Sequence, residues 1–288
     1  MCDNHTNEEN QAYLQLSRRT FGKLAAGAAM MTMLPSVLHA QDVMEMDVNI
    51  ETPDGTADCY FVHPSSGAHA AVIIWPDILG LRPAFRAMGK RLAQSGYSVL
   101  VVNPFYRSAK SPVVAEGASF ADPAIAAIVR PMAGQLNATT HVTDARAFVA
   151  WVDQQASVDT GRKIGTMGYC MGGPIVMRTA STLPERIGAG GSFHGGGLAT
   201  TNPDSPHLGI PNMQASMLIA VAANDDERDP ENKNVLRAAF DAASVTAEIE
   251  VYEGAMHGWC VPDSAVYNEP QAEKAWGRML AIFETALA

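Results

Sequence analysis

Stretches that read as buried strands alternate along this chain with stretches that read as helices. Residues 70–75 (AAVIIW) are apolar without a break, as a strand covered on both faces must be. Residues 97–103 (YSVLVVN), 163–167, 187–193, 216–221 and 247–252 read as further strands. Between them, 83–94, 138–155, 173–181, 230–243 and 270–286 read as helices. In the second of these, Val142, Ala145, Phe148, Val149 and Val152 recur at helical spacing. Upstream, 46–51 and 57–62 flank Pro53-Asp54-Gly55, a hairpin signal. Residues 108–136, interrupted by Pro112, Pro123 and Pro131, read as a loop with a short helix, a candidate lid. Strand–helix alternation without an internal linker predicts one open α/β domain over residues 41–288, its sheet mostly parallel and its helices on both faces.

Residues 1–40 do not share that pattern. Ser17-Arg18-Arg19-Thr20-Phe21-Gly22-Lys23 has the form of a twin-arginine export signature, and the apolar run 24–37 behind it is too short for a comfortable membrane span. A cut after Ala40 would leave a periplasmic protein with no stable membrane anchor, whose first partner is the twin-arginine export machinery. The bland alternative is an ordinary amphipathic N-terminal helix. The net charge of -10 would survive the cut, because Asp3, Glu8 and Glu9 balance Arg18, Arg19 and Lys23. A balance that acidic disfavours nucleic acid and anionic membranes as partners.

Cleavage would also remove Cys2 and leave Cys59, Cys170 and Cys260, an odd count that points to at least one free or specially used thiol. A Cys59–Cys260 disulfide is one arrangement the count allows. Cys170 lies in Gly168-Tyr169-Cys170-Met171-Gly172, between an expected strand and an expected helix. Such a turn forces its central residue into a strained conformation, and the flanking glycines remove side chains that would collide. The helix N-terminus behind the sulfur favours a thiolate. A buried structural thiol fits the turn equally well. A nucleophile needs an imidazole and an orienting carboxylate. Asp225 and Asp226 follow one expected strand and His257 the next, at the strand ends where open α/β sheets place their sites.

In these motifs the chain resembles the dienelactone hydrolase family, a cysteine-nucleophile branch of the α/β-hydrolase fold. The carrying motifs are WPDILGL, GYCMGG, DERDP and GAMHGW. The resemblance implies a triad of Cys170, Asp226 and His257, with Asp226 chosen over Asp225 because the family's acid stands four residues before a proline, here Pro230. It implies an oxyanion hole from the backbone N–H groups of Met171 and Ile78. Asp77 occupies the place of a family glutamate that helps switch on the cysteine, one methylene shorter. Of two family arginines that hold a substrate carboxylate, one is replaced by Val261, and Tyr106-Arg107 is the candidate for the other. His194, with glycines behind it, and Trp259 are further candidates for the pocket wall.

No dinucleotide fingerprint, phosphate-binding loop or H-E-x-x-H helix is present, and the eight histidines lack metal-ligand spacing, so neither cofactor nor metal is expected. The expectation is a cofactor-free hydrolase of small carboxylic esters or lactones working through a thioester. The competing readings are a non-catalytic binding protein on the same scaffold and a redox role pairing Cys170 with Cys260.

Overall fold

The computed structural model describes residues 4–20 and 40–288. The apolar run 24–37 and Cys2 lie outside the described residues. Helix α1 (Asn4–Thr20) comes first. An eight-stranded sheet follows in the order β1-β2-β4-β3-β5-β6-β7-β8. Strands β1 (Val43–Thr52) and β2 (Gly55–Pro64) form the expected hairpin, longer than the hydrophobic pattern suggested, and β2 pairs antiparallel to β4 (Ser98–Val101). From there the sheet is parallel through β3 (Ala71–Trp75), β5 (Ile164–Tyr169), β6 (Ile187–Phe193), β7 (Ser216–Ala222) and β8 (Ala247–Tyr252).

The pleat of β3 divides the core. Val72 and Ile74 join the apolar layer under α2 (Pro83–Gln94) and α8 (Glu269–Ala286), packing with Phe85, Met88, Trp276 and Phe283. Ala71, Ile73 and Trp75 join the opposite layer with α4 (Ala138–Val152), α5 (Gly172–Thr182) and α7 (Asn232–Ala243), through Phe148, Ile175 and Phe240. A strand covered on both faces has no polar position to offer, which is why 70–75 reads as an unbroken apolar run.

Two elements depart from the sequence expectation. Helix α3 (Pro123–Ala133) carries Pro131 in its interior, and it packs with residues of the preceding loop over the nucleophile end of the sheet: Phe105, Phe120 and Val129 share one apolar cluster with Ile78, Cys170 and Met171. Residues 223–228, expected as loop, form a short helix, α6 (Ala223–Arg228). Its first N–H donates to the carbonyl of Ala255 at 2.8 Å, which ties it to the loop that carries His257.

Cys59 and Cys260 pack in the two opposite apolar layers of the sheet. No disulfide joins any two of the three described cysteines, so Cys59 and Cys260 are not bridged.

Candidate active site

Cys170 sits on the turn from β5 into α5 with φ of +52°, in the left-handed region that side chains rarely adopt. The turn is tight enough to exclude any Cβ at its flanks. A Cβ on Gly168 would stand 2.2 Å from the carbonyl oxygen of Gly172, and one on Gly172 would stand 2.3 Å from that of Trp75. The Cys170 N–H donates to the carbonyl of Phe193 at 3.0 Å, so the neighbouring strand holds the strained residue in place. Its side chain is 2% exposed.

The sulfur of Cys170 and one ring nitrogen from each of His194 and His257 all lie within 4.8 Å of one another. His257 is placed by its backbone as well as its ring: its N–H donates to Asn224 Oδ1 at 2.8 Å, and its Nδ1 to Asp225 Oδ2 at 2.7 Å. Burial alone would lower the pKa of this imidazole, but the Asp225 carboxylate and the Cys170 sulfur outweigh burial and push it up to about 10. Asp225 moves down: burial opposes the shift, and His257 overcomes it. A charged His257 is what a thiolate beside it requires.

The carboxylate bonded to His257 is therefore that of Asp225, and not that of Asp226 as the resemblance implied. Adjacent residues on a helix point about 100° apart, so when α6 winds through both only one can face His257. Asp226 faces α7 instead and accepts from Lys233 Nζ at 2.5 Å. Counting back from Pro230 cannot detect this, because the choice depends on where the helical turn begins.

His194, at the end of β6 with φ of +42°, is 1% exposed, and its ring centroid lies 4.8 Å from that of His257. Burial holds its pKa below the ordinary value, with His257 adding to the shift and Cys170 opposing it. Together with Cys170, His257 and Ile78 it lines a cleft of ≈ 230 Å³. A second, larger cavity of ≈ 600 Å³ is lined by Ile78 and Met171 and by Arg130, His141 and Arg178. Neither the Ile78 nor the Met171 N–H has an acceptor among the described residues, and Ile78 belongs to both cavities. In the larger cavity Arg178 Nη1 donates to His141 Nδ1 at 3.0 Å. Burial, reinforced by Arg178, brings His141 down to about 3 and keeps it neutral, so its proton resides on Nε2, which has no partner among the described residues.

Other expected site residues are used elsewhere. Both oxygens of Asp77 accept from Arg82, at 2.7 and 2.9 Å, and one also accepts from the N–H of Leu79. Arg82, 5% exposed, reaches on to Asp263 at 2.7 and 2.9 Å. Asp77 is thus the anchor of the loop that presents Ile78, bridged to the loop beyond His257. Arg107 donates to Asp144 and Asp54, and Tyr106 bonds Thr52 and Asp144. That network ties the β1–β2 turn to α4, and neither residue lines the cavities described above. Trp259 is fully buried; it stacks on Tyr252 and meets the His194 ring edge-on at 5.2 Å, behind the cleft rather than in its wall. Cys260 is buried as well, and desolvation pushes its thiol well up, which makes it a poor redox partner.

The thiol and two imidazoles are also the donor types of a thiophilic cation site. A cation there would occupy nucleophile and base together.

A mostly parallel sheet, a strained cysteine turn after the fifth strand, and an aspartate and a histidine after later strands define an α/β-hydrolase fold with a thiol where a serine is commonest. The dienelactone hydrolase family model matches residues 57–287, and the chain belongs to that family. It is 26% identical over 239 residues to the carboxymethylenebutenolidase of Rhodococcus opacus, covering 81% of this chain and 88% of the relative. Among solved structures, a dienelactone hydrolase-like promiscuous phosphotriesterase from metagenomic libraries superposes with a TM-score of 0.70 at 20% identity, covering 85% of this chain and 99% of the other. The dienelactone hydrolase of Anabaena variabilis gives 0.58 at 19% identity, with coverage of 85% and 99%. These two show the fold. The protein is a carboxylic ester or lactone hydrolase of the dienelactone hydrolase type, which sets aside the reading as a non-catalytic binding scaffold.

Proposed function

We propose that hydrolysis runs through a thioester on Cys170, with His257 as proton carrier and Asp225 as its orienting acid. The carrying observation is the constellation itself: a strained, buried cysteine whose sulfur lies within 4.8 Å of a His257 ring nitrogen, with that ring bonded to Asp225 at 2.7 Å. The thiolate attacks the carbonyl carbon, and the developing oxyanion meets the N–H groups of Met171 and Ile78. The ester C–O bond breaks, and the leaving alkoxide takes the proton from the His257 imidazolium. Neutral His257 then accepts a proton from water, whose oxygen attacks the thioester. The C–S bond breaks, and acid, thiolate and imidazolium are restored. With a lactone, the leaving hydroxyl stays on the same molecule.

Arg130 and Arg178 line the larger cavity, next to the oxyanion N–H groups. They suit a substrate that carries an acidic group, as the name of the Rhodococcus relative implies for that enzyme. Their position differs from the one expected for Arg107. The test is a panel of chromogenic esters and lactones, neutral and acid-bearing. Wild type should turn over with a thioester adduct visible by mass spectrometry, and Cys170→Ala should not. Turnover that persists in Cys170→Ala overturns the mechanism. Arg178→Ala should raise KM for acid-bearing substrates more than for neutral ones.

Export through the twin-arginine route is part of the same proposal, supported by the Ser17–Lys23 motif. Replacing Arg18 and Arg19 by lysine should retain the protein in the cytoplasm, read by cell fractionation.

A further inference from the structure

The entrance to the catalytic cleft is occupied by the chain's own first helix. Thr6, Asn7, Asn10, Gln11 and Leu14 of α1 line the same ≈ 230 Å³ cleft as Cys170, His194 and His257. Thr6 is 2% exposed. Asn10 Nδ2 donates to the backbone carbonyl of His257 at 2.9 Å, and Asn7 Nδ2 to that of Phe120, another residue of the cleft wall, at 3.3 Å. Glu9 accepts at 2.8 Å from both Asn224 and Arg228 of α6. Asn224 is the residue that holds the His257 N–H. The helix therefore docks on the elements that carry the base and its acid, and it spans the mouth to the loop before α3.

The chemistry of that contact suits a removable part. The α1 sequence, NHTNEENQAYLQLSRRT, has few apolar side chains to bury, and its anchors are hydrogen bonds and one ion pair in reach of water. Asn10 Oδ1 is buried there without a partner. Contacts of this kind are weak between separate molecules. They hold here because the tether keeps the helix at high effective concentration, and one cut in the chain abolishes that advantage. The arginine pair Arg18-Arg19 lies in the last turn of the same helix, and the expected cut at Ala40 lies downstream of it.

We propose that α1 is an intramolecular cap, an occupant of the substrate entrance that keeps the site closed until the segment before residue 41 is severed. The proposal rests on reading Cys170 as the reactive sulfur at the floor of that cleft.

The test uses the full chain in a Cys2→Ser background with a specific protease site placed at residue 40, cut after folding. Labelling of Cys170 by fluorescein maleimide, located by peptide mass mapping, reads access to the sulfur. Cutting and dilution should raise the labelling rate at least tenfold, and adding a synthetic peptide of residues 4–20 should lower it again. Gln11→Pro in the uncut chain, which breaks the helix at its centre, should reproduce the increase. An unchanged rate after both the cut and Gln11→Pro overturns the cap. Labelling requires no turnover, so the two readings fail separately. Ester hydrolysis with unchanged labelling removes the cap alone, whereas increased labelling without hydrolysis removes the hydrolytic mechanism and leaves the cap.

Discussion

At the floor of the cleft, Cys170 is held by main chain against main chain: a Cβ on Gly172 would meet the Trp75 carbonyl at 2.3 Å, and the Phe193 carbonyl takes the Cys170 N–H. At the entrance, α1 is held by Asn7, Glu9 and Asn10 through side-chain hydrogen bonds that water can replace. Contacts of the first kind cannot yield without moving strands, because a packed interior has no slack. Contacts of the second kind open at little cost. The difference separates what must stay in place during chemistry from what must move to admit substrate.

The largest effect should come from the floor. Asp225→Asn leaves the shape of the site but removes the charge that orients and protonates His257, and kcat should fall by about 10⁴, as for other triads. Asp226→Asn, one residue away, should change kcat by less than about twofold, because it breaks only a partly buried pair with Lys233 that does not touch His257. Steady-state kinetics of the two variants test the assignment, and equal losses would refute it.

Gly172→Ala comes next. The added methyl has no room beside the Trp75 carbonyl, and overpacking of this kind costs about 1–3 kcal/mol. Thermal unfolding should shift down by several degrees, and kcat should fall with it as the turn moves. A substitution at the entrance, such as Glu9→Gln, should leave the unfolding temperature unchanged.

The pH dependence follows from the same pair. In the proposed thioester route His257 acts as an acid toward the leaving group, so kcat/KM should decline as pH rises through about 10. In Asp225→Asn that limb should move to lower pH. Stability has two edges. The His257 contribution is complete below its ordinary value of 6.5 and is lost as pH rises through about 10. The Asp225 contribution is complete above its ordinary value of 3.8 and is lost as pH falls through its lowered folded value. Denaturant titrations should show wild type most stabilised over Asp225→Asn between those ordinary values, from 3.8 to 6.5.

The smallest effect on chemistry should come from Arg107→Ala. The arginine neutralises buried Asp144 and the hairpin residue Asp54, and it lines neither of the two cavities at the site. Removing one partner of a buried pair costs about 3–5 kcal/mol of stability, with KM for acid-bearing esters unchanged. A selective rise in KM would restore Arg107 to the substrate site.

The centre of the sheet was legible in the sequence because burial on both faces leaves a continuous apolar run, and β3 and β4 lie where such runs predict. Cys170 was legible because a tight turn between strand and helix excludes Cβ atoms two residues to either side. His257 was legible because it follows a strand in the place a parallel sheet uses for chemistry. Asp77 and Arg107, expected beside the thiol and the substrate, are instead committed to ion pairs elsewhere. Arg107 meets Asp144 across 37 residues, and Arg82, five residues from Asp77, is fixed in place by Asp263, 181 residues further on, so the sequence alone could not say that these charges were already satisfied. Trp259 stands two residues from His257 in sequence, yet its side chain turns into the core against Tyr252.

The positions of the strands, the tight turn at Cys170 and the place of His257 after a strand are local statements. They follow from side-chain periodicity and from the steric demands of a few consecutive residues, which any stretch of chain carries with it. The choice between two neighbouring aspartates, the commitment of each loop charge and the docking of α1 over the sulfur arise from contacts between distant segments. Their energies exist only once folding has brought those segments together.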